Sequence, residues 1–312
     1  MGGTAAALAV PSALVLGCRR AVRKAAGRVP VIWIQALSCG GCSVSLLDRT
    51  YPDLLSLITE RFSLNFHQTL MGGSGAAATG VLSEAIDRHR KEFILVVEGA
   101  IPTRADEFCS IGRIGGRRTG AREWIDTLGR EARAVIAAGT CSSFGGVAAA
   151  RPRDGSGNPT GANGIGSLFG GRRVIRVPGC PPHPDWMTGT LLHLILNGMP
   201  RLDEYDRPIL FYGRTVHDLC EHRLDYRAGR FARHWGDEGC LYRLGCLGMD
   251  SNCDIPERRW QGVNSCTGCG GGCIGCTEDV FPDYGTRGLF LRQKSSAPRP
   301  PRGGQKKSLI KN

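Results

Sequence analysis

Val31-Ile-Trp-Ile-Gln35, running through Ala36-Leu37 into Ser38-Cys39-Gly40-Gly41-Cys42, is the stretch that decides the fold. Its first five residues, rich in β-branched and aromatic side chains, make a short buried strand. A glycine loop with two cysteines follows, and residues 43–60 then carry the apolar spacing of an amphipathic helix. Strand, glycine loop, helix is the opening of a βαβ unit.

The pattern recurs downstream. Residues 63–67 read as a second strand, followed by a glycine-rich turn at 71–75 and a helix over 77–88. Phe93-Ile-Leu-Val-Val97 is apolar throughout, as a parallel strand covered on both faces must be, and Glu98-Gly-Ala-Ile-Pro102 follows it. A helix near 121–129, a strand over 134–137, a Pro/Gly/Asn-rich loop at 151–166, a strand over 173–177 and a helix over 186–197 complete the series. The fold class is therefore α/β, a doubly wound parallel sheet over residues 31–205.

Cys39, Cys42, Cys141 and Cys180 each fall just beyond the carboxyl end of one of these strands. In open α/β sheets that edge is where ligands bind. Four thiols from three loops at one edge make a four-ligand site, a stronger signal than a lone C-x-x-C. After Pro208 the periodicity fades. His217-x-x-Cys220, Cys240, Cys246, Cys253, Cys266, Cys269, Cys273 and Cys276 crowd into a glycine-rich stretch with few apolar runs. Residues 206–290 thus read as a second, irregular domain that needs a cross-linking partner for its thiols. Disulfides, zinc and iron–sulfur clusters are the chemical choices. Fourteen cysteines in 312 residues, at metal-ligand spacings and beside α/β periodicity, argue against a secreted disulfide scaffold.

The net charge of +12 suggests nucleic acid at first sight. Much of it, however, lies near the start, at Arg19, Arg20, Arg23 and Lys24, and in the tail from Arg292 to Lys311. A basic tail is a solvated end before it is a binding face, and no nucleic-acid motif accompanies it. Residues 291–312 are read as a disordered basic tail. The uncharged, small and apolar residues 1–17 resemble the apolar core of an export signal, and residues 1–30 read as a truncated twin-arginine signal plus a basic linker. An Ala-rich arm is the plainer alternative, and Cys18 is read as incidental rather than a lipidation site. No apolar run at the C-terminal end is long enough for a membrane anchor.

Several stretches resemble the small subunit of a [NiFe]-hydrogenase. They are Ser38-Cys-Gly-Gly-Cys42, Val97-Glu-Gly-Ala-Ile-Pro-Thr103, Gly139-Thr-Cys-Ser-Ser-Phe-Gly-Gly-Val147, Pro178-Gly-Cys-Pro-Pro-His-Pro184, Thr215-Val-His-Asp-Leu-Cys220, Gly239-Cys-Leu-Tyr-Arg-Leu-Gly-Cys246 and Cys273-Ile-Gly-Cys276, in order from about residue 31 to 281. The resemblance implies a flavodoxin-like domain followed by an irregular iron–sulfur cluster domain, and three clusters in a row. Cys39, Cys42, Cys141 and Cys180 match the ligands of a proximal 4Fe–4S cluster. His217, Cys220, Cys240 and Cys246 match a distal 4Fe–4S cluster, where a neutral imidazole lowers the negative charge and by itself favours the reduced state. Cys253, Cys273 and Cys276 match a medial cluster. Many relatives have proline where this chain has Cys266, and hold a 3Fe–4S cluster. Cys266 as a fourth ligand predicts a medial 4Fe–4S cluster of lower potential, with Cys269 as the alternative donor.

Other positions depart from the family. Gly41 and Gly146 stand where oxygen-tolerant relatives carry two extra cysteines, so a six-cysteine proximal cluster is not expected. Ser38 replaces a glutamate found in many members. Cys109 matches no ligand, and Glu98 is left between a role at the subunit interface and a loop cap. The resemblance implies that the Ni–Fe centre, where H2 and 2 H+ plus 2 e- interconvert, lies in a large-subunit partner. This chain would be the hydrogenase's electron-transfer subunit, with no catalytic residue of its own. It would pass electrons from the proximal through the medial to the distal cluster and on to an acceptor such as a cytochrome or ferredoxin. A periplasmic location through twin-arginine export is expected, with membrane-associated or cytoplasmic location as alternatives. Two competing readings are a complex I-like quinone-reductase iron–sulfur subunit and a zinc-organised binding protein.

Overall fold

The computed structural model describes residues 28–114, 116–150 and 157–282. The export signal, Cys18, most of the basic linker, part of the 151–166 loop and the tail lie outside them. Five strands form one parallel sheet: β1 (Val29–Gln35), β2 (Phe62–His67), β3 (Ile94–Glu98), β6 (Ala134–Ala138) and β7 (Ile175–Val177). Their order is β2-β1-β3-β6-β7, the flavodoxin-like arrangement expected from the sequence. A small antiparallel hairpin, β4 (Ser110–Ile114) and β5 (Arg117–Gly120), stands apart from it.

The apolar alternation sorts side chains to two faces. Val31, Trp33, Ile94, Val96, Ile136 and Ile175 point to one, where they meet Leu46, Leu57, Trp186 and Leu191. Ile32, Ile34, Leu95, Val97 and Val135 point to the other, against Leu82, Trp124, Ile125 and Leu128. The helices covering the first face are α1 (Gly41–Leu47), α2 (Leu54–Glu60) and α6 (Pro184–Leu196); α3 (Gly75–Arg88) and α4 (Ala121–Glu131) cover the second. Each such buried aliphatic side chain contributes roughly 1.5–3 kcal/mol of transfer free energy.

One expectation is corrected and one element goes beyond those expected. The single helix over 43–60 is two helices, because Pro52 lacks an N–H and Asp53 instead caps α2, accepting from Ser56 N at 2.9 Å. The hairpin β4–β5 was missed: its arginines and glycines mask a two-strand pattern around a turn with Gly116 at φ +82°. Among the described residues, the cysteine-rich half holds the short helices α7 (Ile209–Tyr212), α8 (Val216–Leu219), α9 (Arg223–Arg227) and α10 (Ile255–Arg258) and a 3-10 turn at Leu241–Leu244, irregular as expected. Yet it is not without a core, since Phe211, Tyr212, Val216 and Ile255 join the first sheet face.

Candidate metal centres

The sheet register explains the first cysteine group. Gln35 pairs with Glu98, Glu98 with Ala138 and Ala138 with Val177, so four strand ends lie in one row. The segments that leave this row carry Cys39 and Cys42, Gly99, Cys141 and Cys180. The helix α5 (Gly139–Phe144) starts there and carries Cys141. The Cys42 thiol is pushed well above its usual pKa, first by burial, then by Glu98, Cys141, Cys39 and Cys180. The four expected cysteines therefore do converge. Amides aim at them: Gly41 N–H at Cys39 Sγ, 3.4 Å away, and the N–H groups of Val147 and Ala148 at Cys141. Glycine is required by contact here. A Cβ at Gly139 would lie 2.5 Å from Cys42 Sγ, and one at Gly146, at φ +50°, 3.0 Å from Cys141 Sγ. Cys39 and Cys180 are exposed on this chain.

Glu98 is wholly buried behind this group. Its carboxylate accepts from Ser38 Oγ at 2.8 Å, Cys42 N at 3.2 Å, Trp33 Nε1 at 3.0 Å and the Ser43 hydroxyl. It therefore ties the cysteine loop to the sheet from inside, with Ser38 among its donors.

A second group lines a small cavity: His217, Cys220, Cys240 and Cys246, with Tyr242 and Thr267. The His217 pKa is lowered, chiefly by burial, so the imidazole is neutral at neutral pH and free to ligate. His222 N–H points at Cys220 Sγ at 3.4 Å, and the Tyr242 and Gly248 amides at Cys240 and Cys246. Glu221 holds the neighbouring turn, accepting from Ser265 Oγ at 3.0 Å and Thr267 Oγ1 at 3.1 Å.

The third group contains Cys253 and Cys273, both buried. Cys253 feels Cys273, Cys276 and Cys266, and Cys276 is pushed up to about 12, mainly by burial. Cys266 faces this group and receives a hydrogen bond from the Trp260 side chain. Cys266 and Cys269 are both exposed on this chain, and the Cys269 thiol turns to the Cys266 carbonyl at 3.2 Å.

Sequence reasoning missed the clamp behind this group. Arg207 is buried, donating to Asp203 at 2.8 Å, Glu278 at 3.0 Å and the Thr277 carbonyl at 3.2 Å. Glu278 also accepts from Asn252 N at 2.7 Å. One ion pair thus joins the peptides beside Cys253 and Cys276. The signal available was only an isolated arginine between Asp206 and Pro208, which reads as a turn.

The groups are also joined to each other. The Cys180 amide hydrogen-bonds the Cys276 sulfur, and Thr140 Oγ1 donates to the Cys276 carbonyl. The Cys273 amide lies 3.2 Å from Cys246 Sγ, and Leu247 N donates to the Cys273 carbonyl at 2.8 Å. The donor set, with soft sulfurs in three groups, amides aimed at them and no disulfide among the described residues, fits iron–sulfur clusters. No three His, Cys, Asp or Glu side chains among the described residues converge on a single-ion site.

Comparison with known proteins agrees. Residues 39–194 match the family "NADH ubiquinone oxidoreductase, 20 Kd subunit", and residues 212–287 match the family of the C-terminal region of the NiFe/NiFeSe hydrogenase small subunit. The small subunit of the periplasmic [NiFeSe] hydrogenase of Desulfomicrobium baculatum is 37% identical over 86% of this chain and 89% of its own. The quinone-reactive Ni/Fe-hydrogenase small chain of Wolinella succinogenes is 40% identical over 85% and 74%. A solved D. baculatum [NiFeSe]-hydrogenase structure superposes with TM-score 0.79, at 37% identity over 86% of this chain and all of that one. An actinobacterial-type NiFe-hydrogenase structure from Ralstonia eutropha gives 0.75, at 34% identity over 82% and 80%. The fold and these relatives define an iron–sulfur subunit of a hydrogen-converting oxidoreductase. The chain belongs to the [NiFe]-hydrogenase small-subunit family. The first match explains the likeness to complex I: that family's model covers the sheet half, and a hydrogenase model covers the rest.

Proposed function

We propose that this chain relays electrons between a large-subunit Ni–Fe centre and an external acceptor through three clusters. Cys39, Cys42, Cys141 and Cys180 would hold the proximal 4Fe–4S cluster. Cys253, Cys266, Cys273 and Cys276 would hold a medial 4Fe–4S cluster, and His217, Cys220, Cys240 and Cys246 the distal one. When bound, these clusters supply reversible one-electron storage. The rest is done by the chain. Burial keeps water from Cys253 and Cys273, glycines admit amides to the sulfurs, and the Arg207–Glu278 pair fixes the peptides that carry Cys253 and Cys276.

The observation that carries this reading is the row itself: three donor groups, each joined to the next by one peptide N–H on a sulfur. Cys266 rather than Cys269 as fourth medial ligand rests on its electrostatic reach to Cys253 and Cys276. The exposed Cys39 and Cys180 mark the edge that a large subunit would cover. Among the described residues no helix is long and apolar enough to cross a membrane. A periplasmic location follows the D. baculatum relative's name and the export-like start.

Iron and sulfide analysis with electron paramagnetic resonance, on the complex purified without oxygen, tests this. Three four-iron clusters require about twelve irons in this subunit. Cys266→Ser should bring up a three-iron signal on oxidation, and Cys269→Ser should not. A three-iron signal already present in the wild type would leave the medial site with three ligands. Zinc in place of iron would end the whole reading.

A further inference from the structure

The rim around the distal group has a chemistry of its own. Residues 222–244 carry five arginines against three carboxylates, Asp225, Asp237 and Glu238. Two of these carboxylates are engaged. Asp225 pairs with Arg230 and His222, and Asp237 accepts from the Arg233 and His234 amides. Arg227, Arg233 and Arg243 have no ion-pair partner among the described residues. Arg243 lies over the Phe231 ring at 4.3 Å.

With Glu238, Phe231 and Leu244, Arg233 and Arg243 line an open groove of about 600 Å³. The groove is built on the distal ligand segment, because Cys240 N donates to the Arg230 carbonyl at 2.9 Å and Ala232 N to the Cys240 carbonyl at 3.1 Å. Large apolar side chains stand exposed nearby in sequence: Leu224 at 69% and Trp235 at 49%. A Cβ built on Gly272 would touch both Trp235, at 3.2 Å, and Cys246, at 3.3 Å. The tryptophan therefore sits beside the Cys246 segment while half of it stays exposed. Exposed apolar side chains in an arginine-rich segment have the composition of a protein interface rather than of idle surface.

We propose that this groove and its rim are the docking surface for an acidic, one-electron redox protein. The proposal rests on the relay reading above and adds the charge of the acceptor. Guanidinium groups steer and orient a carboxylate-rich partner, and they repel a lysine-rich one. Each turnover takes two encounters, because H2 yields 2 H+ and two electrons, and each carrier accepts one electron with no bond made.

The test uses the intact heterodimer under H2 and one c-type cytochrome in two forms, native and basic, or acidic after succinylation of its lysines. The haem is the same, so charge is the variable. The acidic form should be reduced at least tenfold faster at low salt, and that advantage should fade between about 20 and 200 mM NaCl as screening sets in. Arg233→Glu with Arg243→Glu should cut reduction of the acidic form about tenfold, leaving iron content and reduction of a small dye unchanged. Arg233→Gln with Arg243→Gln, a gentler change, should give a partial loss.

Faster reduction of the basic form, or equal rates insensitive to salt and to both variants, would overturn the proposal. So would arginine-dependent binding to phosphatidylglycerol vesicles without discrimination between the cytochromes, which would assign the surface to lipid. Failure of dye reduction in the wild type, or absence of iron, would instead sink the relay reading beneath it.

Discussion

The sheet half and the cysteine half of this molecule are stabilised by different means. In the first, β3 and β6 are buried along their whole length, and helices cover both faces. In the second, α7 to α10 are four or five residues long, below the length at which a helix holds itself in water. What replaces packing there is a set of buried thiols whose pKa values are raised by burial, with a buried Arg207 ion pair behind them. Buried thiols at such density are stable as neutral groups or as metal ligands, and not as free thiolates. The contrast implies that the sheet half is a scaffold in its own right, whereas the cysteine half is completed by what it binds.

That contrast can be broken in graded steps. Stripping iron from the complex should cost most: hydrogen exchange should rise sharply over residues 217–280, while β1, β3 and β6 stay protected. Equal loss of protection in both halves would mean one cooperative unit. Arg207→Met leaves Asp203 and Glu278 buried without their cation, a loss of roughly 3–5 kcal/mol. Its mark should be a labile medial signal in paramagnetic resonance, with the distal signal retained. Ile136→Ala opens a cavity beneath the sheet at a cost of about 2–5 kcal/mol, read from chemical denaturation, with iron content unchanged. Gly139→Ala drives a methyl group against Cys42 and should cost about four irons from the proximal site alone, by iron analysis. At the small end, Arg130→Ala removes an exposed pair with Asp126 and should shift stability by under about 0.5 kcal/mol.

The sheet was legible because its signals are local. Apolar runs such as Phe93–Val97 and the cysteines beyond each strand end both follow from strand periodicity, and the register brings those ends level. The groupings of thiols were legible through the resemblance, since no local rule pairs His217 with Cys246. The clamp of Arg207, Glu278 and Asn252 was not legible, because its partners are 71 residues apart in sequence and each looks like an ordinary surface residue. Glu98 was seen but left open, since its burial depends on the side chains of Trp33, Ser38 and Ser43 closing over it. The break between α1 and α2 was within reach: Pro52 followed by Asp53 is a stop and a cap in succession.

The amides that bridge the cysteine groups bear on how the sites are aligned. Cys180 belongs to the proximal set and donates to a medial sulfur; Cys273 belongs to the medial set and donates to a distal one. On the proposed assignment, a residue pinned by its own cluster presents its N–H to the neighbouring sulfur in a fixed direction. Each site thus helps to orient the next, while its own ligands come from its own segments, so neighbours share alignment without sharing their iron.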